Sequence, residues 1–230
     1  MSVQDSISKK PIKPYKGLAM EGMIAKWYAK NTGRAPEQKT IFNKVKNVLP
    51  ANAYVLEVAP GPGFLAIEFA RAGNYKVTAL EISKTFIEIA RENAKQANVD
   101  IDFHHGNASE MPFKENSFDF IICVAAFKNF TEPIEAIREM YRVLNPGGKA
   151  CIMDLRRDAS VKDIDKHIKE DLHMRGFNAW MTRFVFRHTL LKNAYTKDEI
   201  QNFVSQTSFL QANIIEDFLG MDIWLEKAAI

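Results

Sequence analysis

The stretch VLEVAPGPGF, at residues 55–64, places two glycines directly after a short apolar run. The run has the composition of a buried strand, and residues 65–72 continue it with the pattern of a helix. Glycine permits a tight turn and lets a ligand approach the backbone at the carboxyl edge of an α/β sheet. The stretch therefore predicts a ligand-binding turn between a strand and a helix, and the alternative is a glycine-rich turn without a ligand.

The middle of the chain alternates short apolar runs with amphipathic stretches. We predict strands at residues 54–58, 76–81, 100–104, 118–124 and 149–154, and helices at residues 65–72, 84–97 and 133–144. Two later runs, 212–217 and 221–225, have a short connection at Gly220 and predict an antiparallel hairpin at the sheet edge. This alternation is typical of an α/β fold, in which helices cover both faces of a mostly parallel sheet.

The composition is that of an ordinary globular protein. With 230 residues, 47% of them hydrophobic, the chain is long enough for one large α/β domain. Its net charge of +3 gives no argument for nucleic acid or an anionic membrane. No apolar run reaches the ~18 residues of a membrane span, and the polar first residues carry no signal core. We expect a cytoplasmic protein in which Cys123 and Cys151 are buried free thiols, with no metal site.

Two acidic residues distinguish the ligands that the turn could hold. Gly61, Gly63 and Ala66 satisfy the dinucleotide pattern G-x-G-x-x-G/A, and Glu81 follows about twenty residues later, as that pattern requires. Glu57, however, lies inside the strand before the turn, where a carboxylate would repel a pyrophosphate and suit an ammonium group. The pattern therefore disfavours a nicotinamide-dependent oxidoreductase.

Glu81 ends the second predicted strand. An acid at that point can accept hydrogen bonds from both hydroxyls of a ribose. The alternative is a carboxylate that stabilises the start of the next helix through the helix macrodipole, although Ser83 already offers a cap there.

Four segments in order carry a family resemblance over roughly residues 40–155. They are LEVAPGPGFLAIEFA, VTALEIS, HHGNASEMPFKENSFDFIIC and EMYRVLNPGGKACIMDL. In them the chain resembles the class I S-adenosylmethionine-dependent methyltransferases, in particular the ubiquinone and menaquinone biosynthesis branch. The resemblance implies a Rossmann-like, seven-stranded, mostly parallel sheet with one antiparallel C-terminal strand. It also implies S-adenosyl-L-methionine as cofactor and methyl transfer to a small-molecule acceptor.

The resemblance also assigns cofactor contacts. Those expected at the methionine end, the ribose, the adenine and the pocket floor are Glu57, Ala59, Gly61, Gly63, Glu81, Ile82, Asn107, Ala108, Cys123 and Val124. Two of them depart from the family: Ala59 replaces its first glycine, and Asn107 replaces an aspartate. We expect Ala59 to be tolerated if its φ is negative, and Asn107 to keep a hydrogen-bonding oxygen.

We expect one methyltransferase domain in four parts. They are an N-terminal arm and lid (1–35), a cofactor-binding core (36–154), a helical substrate cover (155–195), and a C-terminal helix with the edge hairpin (196–230). That helix begins at Thr196, which forms a capping-box pattern with Glu199.

The arm and the cover supply the expected acceptor contacts. The cover carries an arginine cluster that suits an acceptor with anionic or hydrogen-bond-accepting groups, and the arm carries aromatic residues for an apolar wall. The predicted substrate-binding residues are Tyr15, Trp27, Tyr28, Phe127, Arg156, Arg187 and Tyr195. His188 is the predicted general base, because an imidazole titrates near neutrality. Each has a structural alternative, such as an ion pair of Arg156 with Asp158.

Two other functions stay open beside methyl transfer. One is a protein that binds S-adenosylmethionine without turnover, and the other is the NAD-dependent oxidoreductase. A nucleic-acid methyltransferase is disfavoured by the near-neutral charge and by the lack of an N/D-P-P-Y/F sequence after the fourth strand.

Overall fold

The computed structural model describes residues 15–16, 20–31, 35–171, 176, 180, 183–184, 190–209 and 211–229. Within them, seven strands form one sheet in the order β3-β2-β1-β4-β5-β7-β6. The strands are β1 (Tyr54–Val58), β2 (Lys76–Glu81), β3 (Asp102–His105), β4 (Phe118–Val124), β5 (Leu144–Leu155), β6 (Ala212–Glu216) and β7 (Gly220–Glu226). Strand β7 runs antiparallel to β5 and β6 on its two sides, and the other neighbouring strands are parallel, so the predicted sheet is confirmed.

Helices lie on both sides of this sheet. They are α1 (Gly22–Asn31), α2 (Ala35–Val45), α3 (Phe64–Arg71), α4 (Lys84–Gln96), α5 (Pro133–Val143), α6 (Val161–Lys166), α7 (Leu191–Asn193) and α8 (Lys197–Ser205), with 3-10 turns at Lys46–Val48 and Phe127–Asn129 and a π-helical turn at His167–Asp171. Alternate side chains of each strand face opposite layers. On β4, Phe120 and Ile122 pack in the layer of α2 and α3, and Ile121 packs in the layer of α5 and α8.

The observed elements differ from the predicted ones mainly at their ends. β5 begins at Leu144 rather than at residue 149, because Leu144 already pairs with Phe118 before the register shifts. The hairpin does not turn at Gly220, which is the first residue of β7. The Asp217 side chain forms that turn instead, since its Oδ1 accepts hydrogen bonds from the backbone N–H groups of Leu219 (2.9 Å) and Gly220 (2.6 Å). The capping box of Thr196 and Glu199 is confirmed.

The turn between β1 and α3 depends on Gly63. Its φ of +79° lies in the left-handed region, where L side chains are strained. A Cβ at this position would also lie 2.9 Å from the Cβ of Ala90 on α4. Glycine therefore serves both the sharp turn and the close approach of α3 to α4.

Replacing Gly63 with alanine is expected to lower the free energy of unfolding by about 2–4 kcal/mol, from backbone strain and crowding together. Gly73→Ala is the matched control, because Gly73 has a φ of +77° and a Cβ added there would have no neighbouring atom within 4 Å. It should lose only the strain, about 1–2 kcal/mol. Denaturant unfolding measures both variants, and equal losses would contradict the close helix approach.

Candidate active site

The centre of the sheet forms the crevice where an open α/β fold binds its ligand. The strand order reverses between β1 and β4, since β1 leads outward to β2 and β4 leads outward to β5 on the other side. Ligands of such folds bind at the carboxyl ends of the strands beside this reversal. The glycine turn at residues 60–63 follows β1 at this edge, and the loop at residues 125–132 follows β4.

Glu57 is a buried carboxyl group beside this turn. Only 4% of the residue is exposed, and it accepts a hydrogen bond from the backbone N–H of Ala66 at the start of α3. Its Oε2 is buried without a hydrogen-bond partner in the described structure. Burial raises the pKa of Glu57 to about 8, against the lowering effect of the Ala66 hydrogen bond. The carboxyl is therefore mainly protonated near neutral pH until a cation approaches it.

Glu81 links the glycine turn to the start of α4. Its Oε2 accepts a hydrogen bond from the backbone N–H of Gly61 at 3.0 Å, and its Oε1 accepts one from that of Ser83 at 2.9 Å. Burial raises the pKa of Glu81 although these two hydrogen bonds oppose it. A third backbone hydrogen bond comes from Ile82, and because each carboxylate oxygen has two acceptor sites, the group keeps room for one ligand hydroxyl.

The condition set for Ala59 is not met, because its φ is +58° rather than negative. A second alanine, Ala125, has a φ of +56° at the end of β4. Both residues extend the hydrogen bonding of the sheet. The Ala59 N–H donates to the Leu80 carbonyl and the Ala125 N–H donates to the Met153 carbonyl, each at 2.8 Å. An L residue in this conformation costs about 1–2 kcal/mol. The two strand ends that border the crevice therefore hold backbone strain, which tends to occur at functional sites.

The other predicted cofactor residues lie at the ends of neighbouring strands. Ile82 follows β2 and is half-buried, Asn107 and buried Ala108 follow β3, and Cys123 and Val124 end β4. The Oδ1 of Asn107 accepts a hydrogen bond from the Ser109 N–H at 3.2 Å, so the amide stabilises its own loop. Burial raises the pKa of Cys123 well above its ordinary value, which disfavours a role as nucleophile. Their cofactor contacts stay predictions.

A buried ion pair that the sequence interpretation missed lies on the acceptor side. The Lys128 ammonium contacts the Asp154 Oδ1 at 2.8 Å, and the two side chains are 7% and 4% exposed. Lys128 also donates its backbone N–H to Asp154 Oδ2 at 2.8 Å and an ammonium N–H to the Ala125 carbonyl. The pair joins the ends of β4 and β5. The sequence contained one signal of this pair, the acid Asp154 at the end of the fifth strand. Its partner, Lys128, can be identified only from the fold.

The predicted acceptor residues are partly engaged in structural contacts. Phe127 is buried and packs against Phe130 and Tyr195, with ring centroids 5.5 and 5.9 Å apart. Arg156 forms an ion pair with Asp158 at 2.8 Å, the alternative that the sequence left open.

Two further predicted residues, Arg187 and His188, lie outside the described residues. Within the described ranges, no group of three or more His, Cys, Asp or Glu side chains could hold a metal ion.

The described residues of the N-terminal arm are attached at two places, and the first is the loop after β4. Tyr15 forms a backbone bridge with Phe130, and the Lys16 N–H donates to the Asn129 carbonyl at 2.6 Å. Burial raises the pKa of Tyr15, and the negative charges of Glu21 and Glu81 add to the rise. The Tyr15 phenol therefore lies within electrostatic reach of Glu81 across the mouth.

The other end of the arm is fixed to α4. Glu21 accepts hydrogen bonds from the first backbone N–H groups of that helix, at Lys84 (3.0 Å) and Thr85 (3.1 Å). Ser83 Oγ donates to the Met20 carbonyl at 2.6 Å. Burial opposes ionisation of Glu21, but the hydrogen bonds from Thr85 and Lys84 outweigh it and lower its pKa. The carboxylate thus caps a helix that begins beside Glu81.

Helix α1 continues from this attachment point. Tyr28 packs edge-on against Phe86 of α4, with ring centroids 5.8 Å apart. Trp27, in contrast, is 66% exposed. The role of the arm as a lid and the contacts of Tyr15, Trp27 and Tyr28 with an acceptor stay predictions.

Comparisons with known proteins agree with this geometry. Residues 56–152 match the family described as Methyltransferase domain. A demethylmenaquinone methyltransferase of Listeria welshimeri is 42% identical over 78 residues, which are 33% of this chain and 33% of that protein. A ubiquinone/menaquinone biosynthesis C-methyltransferase of Escherichia fergusonii is 33% identical over 107 residues, 45% of this chain and 43% of that protein. The matches thus span less than half the length of these curated relatives.

Solved structures extend the fold similarity to most of the chain. A SAM-dependent methyltransferase from Aquifex aeolicus has a TM-score of 0.62 at 16% identity, with 85% of this chain and 99% of that chain covered. The [4+2]-cyclase SpnF has a TM-score of 0.63 at 16% identity, with 87% and 86% covered. At this identity the likeness concerns the fold alone.

The raised pKa of Glu57 predicts how stability depends on pH. The folded protein holds this proton up to about pH 8, and the ordinary value is 4.5. The stabilising contribution is therefore complete below pH 4.5 and is lost as the pH rises through 8, by roughly 3–5 kcal/mol. Glu57→Gln should lose much of this pH dependence, and Glu92→Gln, an exposed change on α4, should keep it. Denaturant unfolding from pH 5 to 9 is the measurement, and identical profiles for all three proteins would contradict the assignment.

Proposed function

We infer that this chain, of which residues 56–152 match a methyltransferase domain family, is a class I methyltransferase that transfers a methyl group from S-adenosylmethionine to a small-molecule acceptor. The observation that carries the inference is the Glu57 carboxyl, buried beside the glycine turn with one oxygen lacking a hydrogen-bond partner in the described residues. An amino acid ammonium would supply that partner and make the ionised form favourable.

The same residue argues against a dinucleotide. A pyrophosphate at the start of α3 would bring negative charge towards a buried acid, and both would be destabilised. Glu81 is the proposed ribose acceptor, held in place by Gly61 and Ser83. The residues present thus fit the two polar ends of S-adenosylmethionine, its amino acid and its ribose.

The cofactor, when bound, supplies an activated methyl group on a sulfonium, so the protein needs little chemistry of its own. We propose that its residues position and dry the site. Glu57 and the glycine turn orient the donor, and the strained ends at Ala59 and Ala125 shape the crevice. The arm, fixed at Phe130 and at Ser83, excludes water from above.

The acceptor is proposed to lie over the ends of β4 and β5. Within the described residues, the Lys128 ammonium donates one N–H to Asp154 and one to Ala125. Its third N–H is the proposed donor to an oxygen of the methyl acceptor. Tyr195 and Lys16 join the arm to the cover through a hydrogen bond. Arg187 as an anion contact and His188 as a base stay proposals from the sequence.

The relatives' names indicate a quinone-type acceptor and a methylated carbon, which we adopt only as the first acceptor class to test. Their matches concern the cofactor half, whereas the arm and residues 156–195 lie outside the matched family region. Binding of S-adenosylmethionine without turnover is the alternative, since the likeness to solved structures, a [4+2]-cyclase among them, concerns the fold alone. A cytoplasmic location and the lack of a nucleic-acid partner stay predictions.

Calorimetry tests the cofactor. We expect S-adenosylmethionine and its demethylated product to bind, and NAD and NADP not to bind. Glu57→Ala and Glu81→Ala should each weaken binding ten- to a hundredfold, because each removes charge-assisted hydrogen bonds of ~1.5–3 kcal/mol. Glu92→Ala, exposed on α4, is the control that should bind as the unchanged protein does. Binding of NAD without binding of S-adenosylmethionine would overturn the proposal.

Methyl transfer itself is tested with labelled cofactor. The protein is mixed with S-adenosylmethionine labelled in its methyl group and with the small-molecule fraction of a cell extract, and quinones with a free ring position are tested separately. We expect label in an organic product, and less of it with Glu81→Ala at subsaturating cofactor. If the cofactor binds but no label leaves it with any acceptor class, binding without turnover becomes the better account.

A further inference from the structure

Exposed apolar side chains are concentrated at one end of the described structure. Eleven large apolar residues of the described ranges are exposed, and eight of them lie in segments at the carboxyl edge of the sheet. These eight, here called the apolar rim, are Met23, Ile24, Trp27, Tyr28, Val161, Trp180, Phe184 and Phe218. Isolated exposed apolar residues are normal, but a set gathered around one end indicates an interaction surface.

Three attachments place these segments at that edge. Helix α1 follows Glu21, which caps α4 just after the end of β2. Val161 begins α6 after the end of β5, and the segment with Trp180 and Phe184 is tied to α6 by the ion pair of Arg183 with Asp165. Phe218 lies in the β6–β7 turn next to Leu155, the last residue of β5, which pairs with Gly220.

Helix α1 presents its apolar side outward. At 100° per residue, Ala25 and Tyr28 share the face that packs on the domain, and Ala25 is fully buried. Met23 and Trp27 lie on the opposite face, where they are 86% and 66% exposed. Lys26 and Lys30 flank that outer face, and the helix contains no acidic residue.

This arrangement goes beyond the proposed function, and we propose that the apolar rim docks on the surface of an anionic lipid bilayer. An interfacial helix carries Trp and aliphatic residues on one face with lysines beside them, as α1 does. The rim comes from four separate segments rather than from one groove. This arrangement fits the extended surface of a bilayer better than a single partner helix. Lysines continue around it, since the Lys166 ammonium lies 5.7 Å from the Phe218 ring centroid.

Local charge explains why the whole-chain balance gave no hint. The net charge of +3 is small, and residues 155–171 hold five basic and five acidic residues, so the positive charge of the rim lies on α1. Helix α1 carries Lys26 and Lys30 and no acidic residue. Docking would be in the plane of the surface, because none of the described helices is long and apolar enough to span a membrane. The arm and the site mouth would then face the bilayer.

Vesicle co-sedimentation of the full chain tests the proposal. The probes are phosphatidylcholine vesicles with and without 30% phosphatidylglycerol, a composition chosen as roughly that of an anionic surface. We expect binding to the anionic vesicles, weakened by salt. Met23→Ser with Trp27→Ser should reduce binding about tenfold or more, because both apolar anchors are lost. Lys26→Glu with Lys30→Glu should reduce it to a similar degree.

Matched variants separate docking from general damage. Val48→Ser with Ile215→Ser removes two exposed apolar side chains outside the rim, and Lys95→Glu with Lys114→Glu reverses two exposed charges away from α1. Both should bind vesicles as the unchanged protein does, and all variants should keep the thermal stability of the unchanged protein. The proposal is overturned if anionic vesicles are not bound, or if the α1 variants bind as well as their controls. Cofactor binding is measured separately, so this failure leaves the proposed function standing.

Discussion

Glu57, a buried acid that has no cationic partner among the described residues, is the constraint on which the site depends. An ionised carboxylate in that position would be strongly destabilised, and burial raises the pKa of Glu57 to about 8, which favours the protonated form near neutral pH. Natural cores avoid such groups unless something compensates for them. Under the proposed function the cofactor ammonium is that compensation, so cofactor binding is coupled to the loss of the Glu57 proton. Ligand binding and folding stability are then linked through one proton.

The backbone around Glu57 is arranged for the same purpose. Gly61 and Ser83 direct their N–H groups at Glu81, which joins two strand ends into one rim of the crevice. Glu21 caps α4 from the arm, and Ser83 at the start of the same helix donates its N–H to Glu81. The arm and the Glu81 carboxylate are therefore attached to the same end of α4. The acceptor side instead relies on the buried pair of Lys128 and Asp154.

Local pattern predicted the parts of this fold that local chemistry determines. The glycine turn, the capping box at Thr196 and the antiparallel β7 all follow from short stretches, and all were confirmed. The positive φ of Ala59 could not be predicted, because sheet pairing to Leu80 imposes it on a residue that would avoid it alone. The Lys128–Asp154 pair and the Glu21 cap join residues far apart in sequence, so no short stretch of the sequence contains both partners of either contact. The outward apolar face of α1 was missed for a related reason. Helical spacing identifies an apolar face, but it does not show whether that face contacts the domain or the solvent.

The central claim is that Glu57 holds the ammonium of the cofactor, and proton release on binding tests it most directly. Titration of S-adenosylmethionine at pH 6.5 in two buffers of different ionisation enthalpy gives the number of protons exchanged. A carboxyl with a pKa of about 8 in the free protein should lose its proton when a cation binds, so release should approach one proton per cofactor. Glu57→Gln should release close to none. The account would be contradicted if the unchanged protein bound S-adenosylmethionine without releasing a proton and Glu57→Gln bound it with the same affinity.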